Sequence, residues 1–262
     1  MVLAVDVGNT NIVLGCYEGD TLKLVSRIST DKTKMEDQYA IEISQILKYH
    51  NISINVFDGA IISSVVPPLS MALKRAIGKL FGCKVLTVSP GTKTGLNIKI
   101  DNPAMLGADL VCGAVCALNK YPHPCIILDL GTATKFTVLA ADGSLLGGAI
   151  APGVNISLEA LSSRTAQLPY IDLGESNAIY PVIGTDTIQC MRSGTVLGAA
   201  SMIDGMIKKI SSTLKEEAFV VATGGISSCI IPHCETKIVI DDDLVLEGLN
   251  MIYKRNISPK KA

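Results

Sequence analysis

Hydrophobic residues along this chain fall into short runs, broken by glycine-rich turns and by stretches with helical spacing. Val2 to Val5 is an apolar run that ends in Asp6 and turns at Gly8-Asn9-Thr10, and Ile12 to Leu14 returns from that turn. The opening unit therefore reads as a β-hairpin. A turn at Glu18-Gly19-Asp20 leads into a third strand, Leu22 to Ile28. Thr33-Lys34-Met35-Glu36 matches a capping box, and Tyr39, Ile43, Ile46 and Leu47 give the following helix an apolar stripe. Asp58 to Ser63 predicts a buried strand. Pro67 and Pro68 start a helix that runs through Phe81 to a stop at Gly82, and Lys84 to Val88 predicts a further strand.

The second half repeats this order. Cys125 to Leu128, Lys135 to Ala140 and Leu145 to Ile150 predict three strands, with Ala141-Asp142-Gly143 turning where Glu18-Gly19-Asp20 did. Helices follow, then the strand Phe219 to Ala222, the loop Thr223-Gly224-Gly225, a short helix, the strand Lys237 to Ile240 and a closing helix around Glu247 to Lys254. Gly107 to Asn119 is helix-like, and its end near Lys120-Tyr121-Pro122 marks the expected boundary between residues 1–119 and 120–262. Repetition of element order supports a duplicated α/β architecture.

Composition narrows the class. A length of 262 residues suits one large or two smaller domains, and a hydrophobic share of 48% supplies a sizeable core. A net charge of −1 argues against a sequence-independent nucleic-acid binder. Mean hydropathy is high at +0.40, yet no apolar run approaches the roughly 18 residues of a spanning helix. The N-terminus enters a strand without a basic region and cleavage site, so no signal peptide is expected. Eight cysteines sit inside apolar runs with no Cys-x-x-Cys pair, which fits buried thiols in a cytoplasmic, reduced protein. Cys229, His233 and Cys234 lack an evident fourth ligand for a zinc-type site.

The candidate chemistry lies in the turns. Asp6-Val7-Gly8-Asn9-Thr10-Asn11 and Asp129-Leu130-Gly131-Thr132-Ala133-Thr134 share one grammar at matching places in the two halves. Glycine lets a backbone N–H face a ligand with no Cβ in the way, and Asn and Thr add short polar groups. Two such turns facing each other across a cleft suit a polyphosphate, and each Asp suits a hydrated cation between phosphate oxygens. Thr223-Gly224-Gly225, after a buried strand, admits a flat ring. Together these indicate ATP, although the chain has neither a Walker A nor a G-x-G-x-x-G sequence. A single Asp-x-Gly is often no more than a hairpin turn; the reading rests on two copies and the Gly-Gly loop.

These segments resemble those of the type III pantothenate kinases, a family of the actin, hexokinase and heat-shock-chaperone superfamily. Asp6 to Asn11 is similar to the family's first phosphate motif, Asp129 to Thr134 to its second, and Thr223-Gly224-Gly225 to its adenosine motif. Asn102-Pro103-Ala104-Met105-Leu106-Gly107-Ala108-Asp109 follows the family's N-P-x-x-x-G-A-D segment. Gly148 to Gly153, Thr165 to Pro169 and Leu246 to Leu249 extend the likeness to nearly the whole chain.

The resemblance implies two duplicated ribonuclease-H-like (actin-like ATPase) domains with a cleft between them. It also implies ATP-dependent phosphorylation of pantothenate to 4′-phosphopantothenate, the entry to coenzyme A synthesis, by a homodimer using ATP, Mg2+ and K+ (or NH4+). It puts the general base on Asp109. ATP and its phosphates fall to Asp6, Val7, Gly8, Asn9, Thr10, Asn11, Ile12, Val13, Gly131, Thr132, Thr223, Gly224 and Gly225. Pantothenate falls to Ile100, Gly107, Ala108, Asp109, Leu110 and Thr187. Asp129 is implied as the monovalent-cation ligand, and Asp6 as the holder of Mg2+ through water.

Three positions depart from the family pattern. Leu110 replaces an Arg that helps bind the pantothenate carboxylate, Ile100 replaces an aromatic residue, and Lys135 stands where a second Thr commonly follows. They leave open an alternative, a catalytically impaired relative acting as a nucleotide-binding regulatory or accessory protein.

Overall fold

A computed structural model describes residues 1–173 and 178–257. Two compact units are present. The first holds Met1–Leu96, Asp101–Cys116 and the chain from Leu244 onward; the second holds Asn97–Ile100 and Ala117–Asp243.

The first unit is built on a five-stranded sheet in the order β3-β2-β1-β4-β5. Its strands are β1 (Val2–Val7), β2 (Asn11–Glu18), β3 (Thr21–Ser29), β4 (Gly59–Ser64) and β5 (Val85–Thr87). β1, β2 and β3 meander antiparallel, while β4 and β5 join β1 in parallel. Helices α1 (Glu36–Tyr49) and α2 (Pro67–Phe81) cover one face through Tyr39, Ile43, Leu69 and Leu73, packed on Leu3, Val5 and Ile62. The other face meets α3 (Ala108–Lys120) and α8 (Leu244–Ile257), where Val111, Cys112, Leu249 and Ile252 enclose Ala4 and Ile61. A strand covered on both faces has no solvent side to mark with polar residues, which is why β1 reads as a continuous apolar run. A Cβ on Gly248 would stand 1.9 Å from the Cys112 carbonyl oxygen, so this glycine lets α8 and α3 touch backbone to backbone.

The second unit repeats the plan with the order β10-β9-β6-β7-β8. Its strands are β6 (Cys125–Leu130), β7 (Ala133–Leu139), β8 (Leu145–Pro152), β9 (Phe219–Thr223) and β10 (Val239–Ile240). Its helices are α4 (Val154–Arg164), α5 (Thr187–Arg192), α6 (Gly198–Leu214) and α7 (Ser227–Ile230), with a π-helical turn at Ser193–Leu197 joining α5 to α6. Ile126, Leu128, Leu130 and Phe136 pack against Val196, Ala200, Ile203 and Ile207. Matched strand for strand, the two sheets have the same order, with β1 corresponding to β6 and β4 to β9.

Two local expectations are corrected. α1 begins after Met35 rather than after Thr33, because Asp31 Oδ1 accepts both the Thr33 N–H (2.9 Å) and its hydroxyl (2.6 Å). The Gln38 side chain then takes the Met35 N–H at 2.8 Å, and Glu36 pairs instead with Lys79 of α2. The closing helix also departs from a single cut after residue 119: its apolar face packs with Ala4 and Ile61 in the first unit. Among the described residues no helix is long and apolar enough to cross a membrane.

All eight cysteines are free; Cys16, Cys112 and Cys125 are buried and Cys190 is exposed. Burial pushes the Cys16 and Cys125 thiols up to about 12, against about 8.5 in an unfolded chain. A raised folded value stabilises the native state below the unfolded value, and that contribution is lost as pH rises from about 8.5 towards 12. Denaturant melts should therefore show stability falling above pH 8.5. At neutral pH a thiol reagent should label Cys190 first and reach Cys16 and Cys125 only on unfolding; rapid labelling of those two in the native state would contradict the packing.

Candidate active site

In the first unit the β1–β2 hairpin closes at its last register pair, Val7 with Ile12, leaving Gly8, Asn9 and Thr10 as the turn. The Gly8 N–H donates to the Asn11 carbonyl at 2.9 Å. Thr30, one residue beyond β3, clamps the turn from outside. Its hydroxyl donates to the Gly8 carbonyl at 2.7 Å and its N–H to the Thr10 carbonyl at 2.9 Å. Sequence reading did not select Thr30; the only signal was its place just after the third apolar run. Asn9, Thr10 and Asn11 are exposed, whereas the side chains of Val7 and Ile12 are buried in the core and Val13 is half-buried. Val7 and Ile12 can therefore meet a ligand only through their backbone.

Asp6 is half-buried near the end of β1 and lies in register with Ser63 of the parallel strand β4, so the two share a face of the sheet. The Ser63 hydroxyl is fully buried, within hydrogen-bonding reach of the Cys112 thiol. A carboxylate and a hydroxyl on one face of the sheet are hard-oxygen donors, which fit a hydrated Mg2+. Ser63 had no sequence motif to announce it.

Asp109 sits in the first turn of α3, where the helix dipole favours an anion. Its Oδ1 accepts the Leu110 N–H at 2.8 Å. A Cβ on Gly107 would stand 2.5 Å from that same oxygen, so the carboxylate folds back towards Gly107. Ala108 and Leu110 are half-buried beside it. One turn further along α3, the Cys112 thiol is pushed well above its ordinary value, first by burial and then by the carboxylates of Asp6 and Asp109.

In the second unit three glycine turns converge at strand ends. β6 and β7 separate after the pair Leu130–Thr134, and the Gly131 N–H donates to the Ala133 carbonyl at 3.2 Å. A Cβ on Gly153 would stand 2.2 Å from the Thr132 carbonyl oxygen, so the start of α4 is pressed onto the Gly131-Thr132 turn. Thr223 is buried in register with Asp129. Gly224 adopts φ +102° and a Cβ there would stand 2.6 Å from the Leu130 carbonyl carbon, so both its conformation and its surroundings demand glycine. The Ser227 hydroxyl donates to the Thr223 carbonyl at 2.7 Å and pins the turn. Beside these packed positions, Gly225 is exposed with open space where a Cβ would go, and Thr132 is exposed.

Asp129 and Lys135 are direct cross-strand partners, and Lys135 Nζ lies 2.6 Å from Asp129 Oδ2. Of the remaining predicted residues, Ile100 lies in the second unit, on the segment bridged to Leu145, and Thr187 opens α5 behind the Asp186 cap and is exposed.

A repeated α/β unit, with glycine turns at the strand ends and a carboxylate on a helix start, is an arrangement that suits phosphoryl transfer of the actin-like class. Residues 2–209 match the type III pantothenate kinase family model, and the chain belongs to that family. The type III pantothenate kinase of an Exiguobacterium species is 44% identical, covering 98% of this chain and 99% of the relative. That of Halalkalibacterium halodurans is 42% identical over 98% of this chain and 100% of its own. Among solved structures, a ROK hexokinase from Thermus thermophilus superposes with TM-score 0.51 at 12% identity, covering 96% and 97% of the two chains. A Campylobacter jejuni protein ascribed to the Baf transcriptional-activator family gives TM-score 0.62 at 17% identity, covering 97% and 98%. At these identities the likeness is one of fold.

The contact between Gly153 and the phosphate turn is testable. Gly153→Ala should displace the Gly131-Thr132 turn and weaken binding of a non-hydrolysable ATP analogue by about tenfold or more in calorimetry, since small misplacements are costly. Gly225→Ala, with no atom near the new methyl, should leave the melting temperature unchanged.

Proposed function

We propose that the protein transfers the γ-phosphoryl group of ATP to the primary alcohol of pantothenate, giving 4′-phosphopantothenate, the first step of coenzyme A synthesis. The carrying observation is the placement of the Asp109 carboxylate in the first turn of α3, in the same unit as the Gly8–Asn11 turn, in a chain of this family.

The roles follow from the chemistry. Asp109 accepts the hydroxyl proton of pantothenate as that oxygen attacks the γ-phosphorus. In the first unit the exposed Asn9, Thr10 and Asn11 offer short polar side chains to phosphate oxygens, and in the second unit that role falls to the Gly131-Thr132 turn through the exposed Thr132. Gly224 and Gly225 receive the adenosine. Asp6, with Ser63 in register, is the holder of Mg2+, which when bound spreads the negative charge of the phosphates. Gly107, Ala108, Leu110, Ile100 and Thr187 are assigned to pantothenate. Leu110 offers its carboxylate no charged partner, which forfeits about 1.5–3 kcal/mol of binding. That loss raises KM and leaves the proton transfer of Asp109 untouched.

Two further assignments belong to the same reading. Ile179, Val182 and Ile183 of the second unit are 95%, 81% and 84% exposed, an apolar group of the kind that marks a protein interface. It supports a homodimer. Free thiols throughout suit a reducing cytoplasm.

Asp109→Asn keeps the shape and removes the base. It should lower kcat by about 10²–10⁴ while changing calorimetric affinity for an ATP analogue by less than about threefold; a kcat within tenfold of wild type would assign the base elsewhere. Sedimentation at micromolar concentration should give twice the 27.6 kDa chain mass, and a monomer would refute the dimer.

A further inference from the structure

We infer that the Lys135 ammonium is a built-in replacement for a free monovalent cation, so that nucleotide binding by this protein is independent of K+ and NH4+. The inference rests on the reading of Gly131-Thr132 as a phosphate turn, and its observation is separate: the cross-strand pair at the base of that turn. Asp129 and Lys135 face each other in register on β6 and β7, with Nζ 2.6 Å from Oδ2 and only 21% and 19% of the two side chains exposed.

The geometry gives the ammonium the position a cation would need. Asp129 Oδ2 is held by Lys135. The other oxygen, Oδ1, is 3.3 Å from where a Cβ on Gly131 would stand, so the carboxylate lies against the turn itself. A free cation prefers several oxygens at once, and here one of the two carboxylate oxygens is already engaged. A cation entering beside Nζ would also meet a like charge within a few ångströms, a repulsion that partial burial leaves poorly screened. The tethered ammonium needs no capture from solution, because its strand already places it. Its role is electrostatic and positional: it fixes the Asp129 carboxylate and sets a positive charge beside the phosphate turn.

Register explains why such an exchange is possible at this position. Thr134 and Phe136, the neighbours of Lys135 on β7, are buried on the opposite face. Residue 135 points to the Asp129 side, and a long amine reaches the carboxylate where a shorter hydroxyl leaves room for an ion.

The test compares wild type, Lys135→Thr and Lys135→Gln at constant ionic strength in potassium, ammonium or tetramethylammonium chloride. Affinity for a non-hydrolysable ATP analogue is read by calorimetry, and cation binding by thallium-205 NMR with Lys135→Thr/Asp129→Asn as the reference. Wild type should bind the analogue equally within twofold in all three salts. Lys135→Thr should bind at least tenfold more weakly in tetramethylammonium, recover in potassium, and show a thallium site that the double variant loses. Lys135→Gln, with its longer side chain, should be weakened in all three salts. A fivefold or greater dependence of wild type on potassium would overturn the inference, and so would salt-independent binding by Lys135→Thr without a thallium site. Absence of pantothenate phosphorylation in every salt would count against the kinase reading alone, because the binding and thallium measurements need no turnover.

Discussion

The structure depends on how closely backbone can approach backbone at a few glycines. Gly224 rests on the Leu130 peptide, Gly153 on the Thr132 carbonyl and Gly248 on the Cys112 carbonyl, each at distances no Cβ tolerates. The first two bring the ends of β6, β8 and β9 together, so that neighbouring turns present their groups to one place in the second unit. The third seats α8 on α3 and so fixes the helix that carries Asp109. Packing at these points is steric before it is energetic: there is one way to close the chain, and the loops inherit their orientation from it.

Electrostatics is then distributed by sheet register. The two Asp residues occupy corresponding places, Asp6 on β1 and Asp129 on β6, but their surroundings differ. Asp6 shares its face with the buried Ser63 hydroxyl, whereas Asp129 faces Lys135. The same carboxylate occurs twice, and the neighbouring strand decides what each one meets.

Much of this was legible beforehand, for identifiable reasons. Strands buried on both faces announce themselves as apolar runs, and glycine turns are punctuated by residues with few other uses, so the repeated order and the Asp-x-Gly turns could be read directly. Pro67 and Gly82 gave the ends of α2 because they act through local sterics. Long-range choices were not legible. Thr33 looked like a helix cap until Asp31 claimed its donors, and Glu36 was drawn to Lys79 across the fold. Thr30 and Ser63 acquire their roles from strands that arrive from elsewhere in the chain, and the closing helix reveals its unit only through what its apolar face covers. Lys135 was visible as a departure from the family pattern, but not its hold on Asp129, which needed the β6–β7 register.

The central claim is that these carboxylates and turns perform phosphoryl transfer to pantothenate rather than nucleotide binding alone. Phosphorus-31 NMR of the wild-type protein with ATP, Mg2+ and millimolar pantothenate tests it most directly. The account predicts loss of the γ-phosphate signal, matched one for one by ADP and a new phosphomonoester on pantothenate. ATP that binds but stays intact, or that yields only inorganic phosphate, would contradict it.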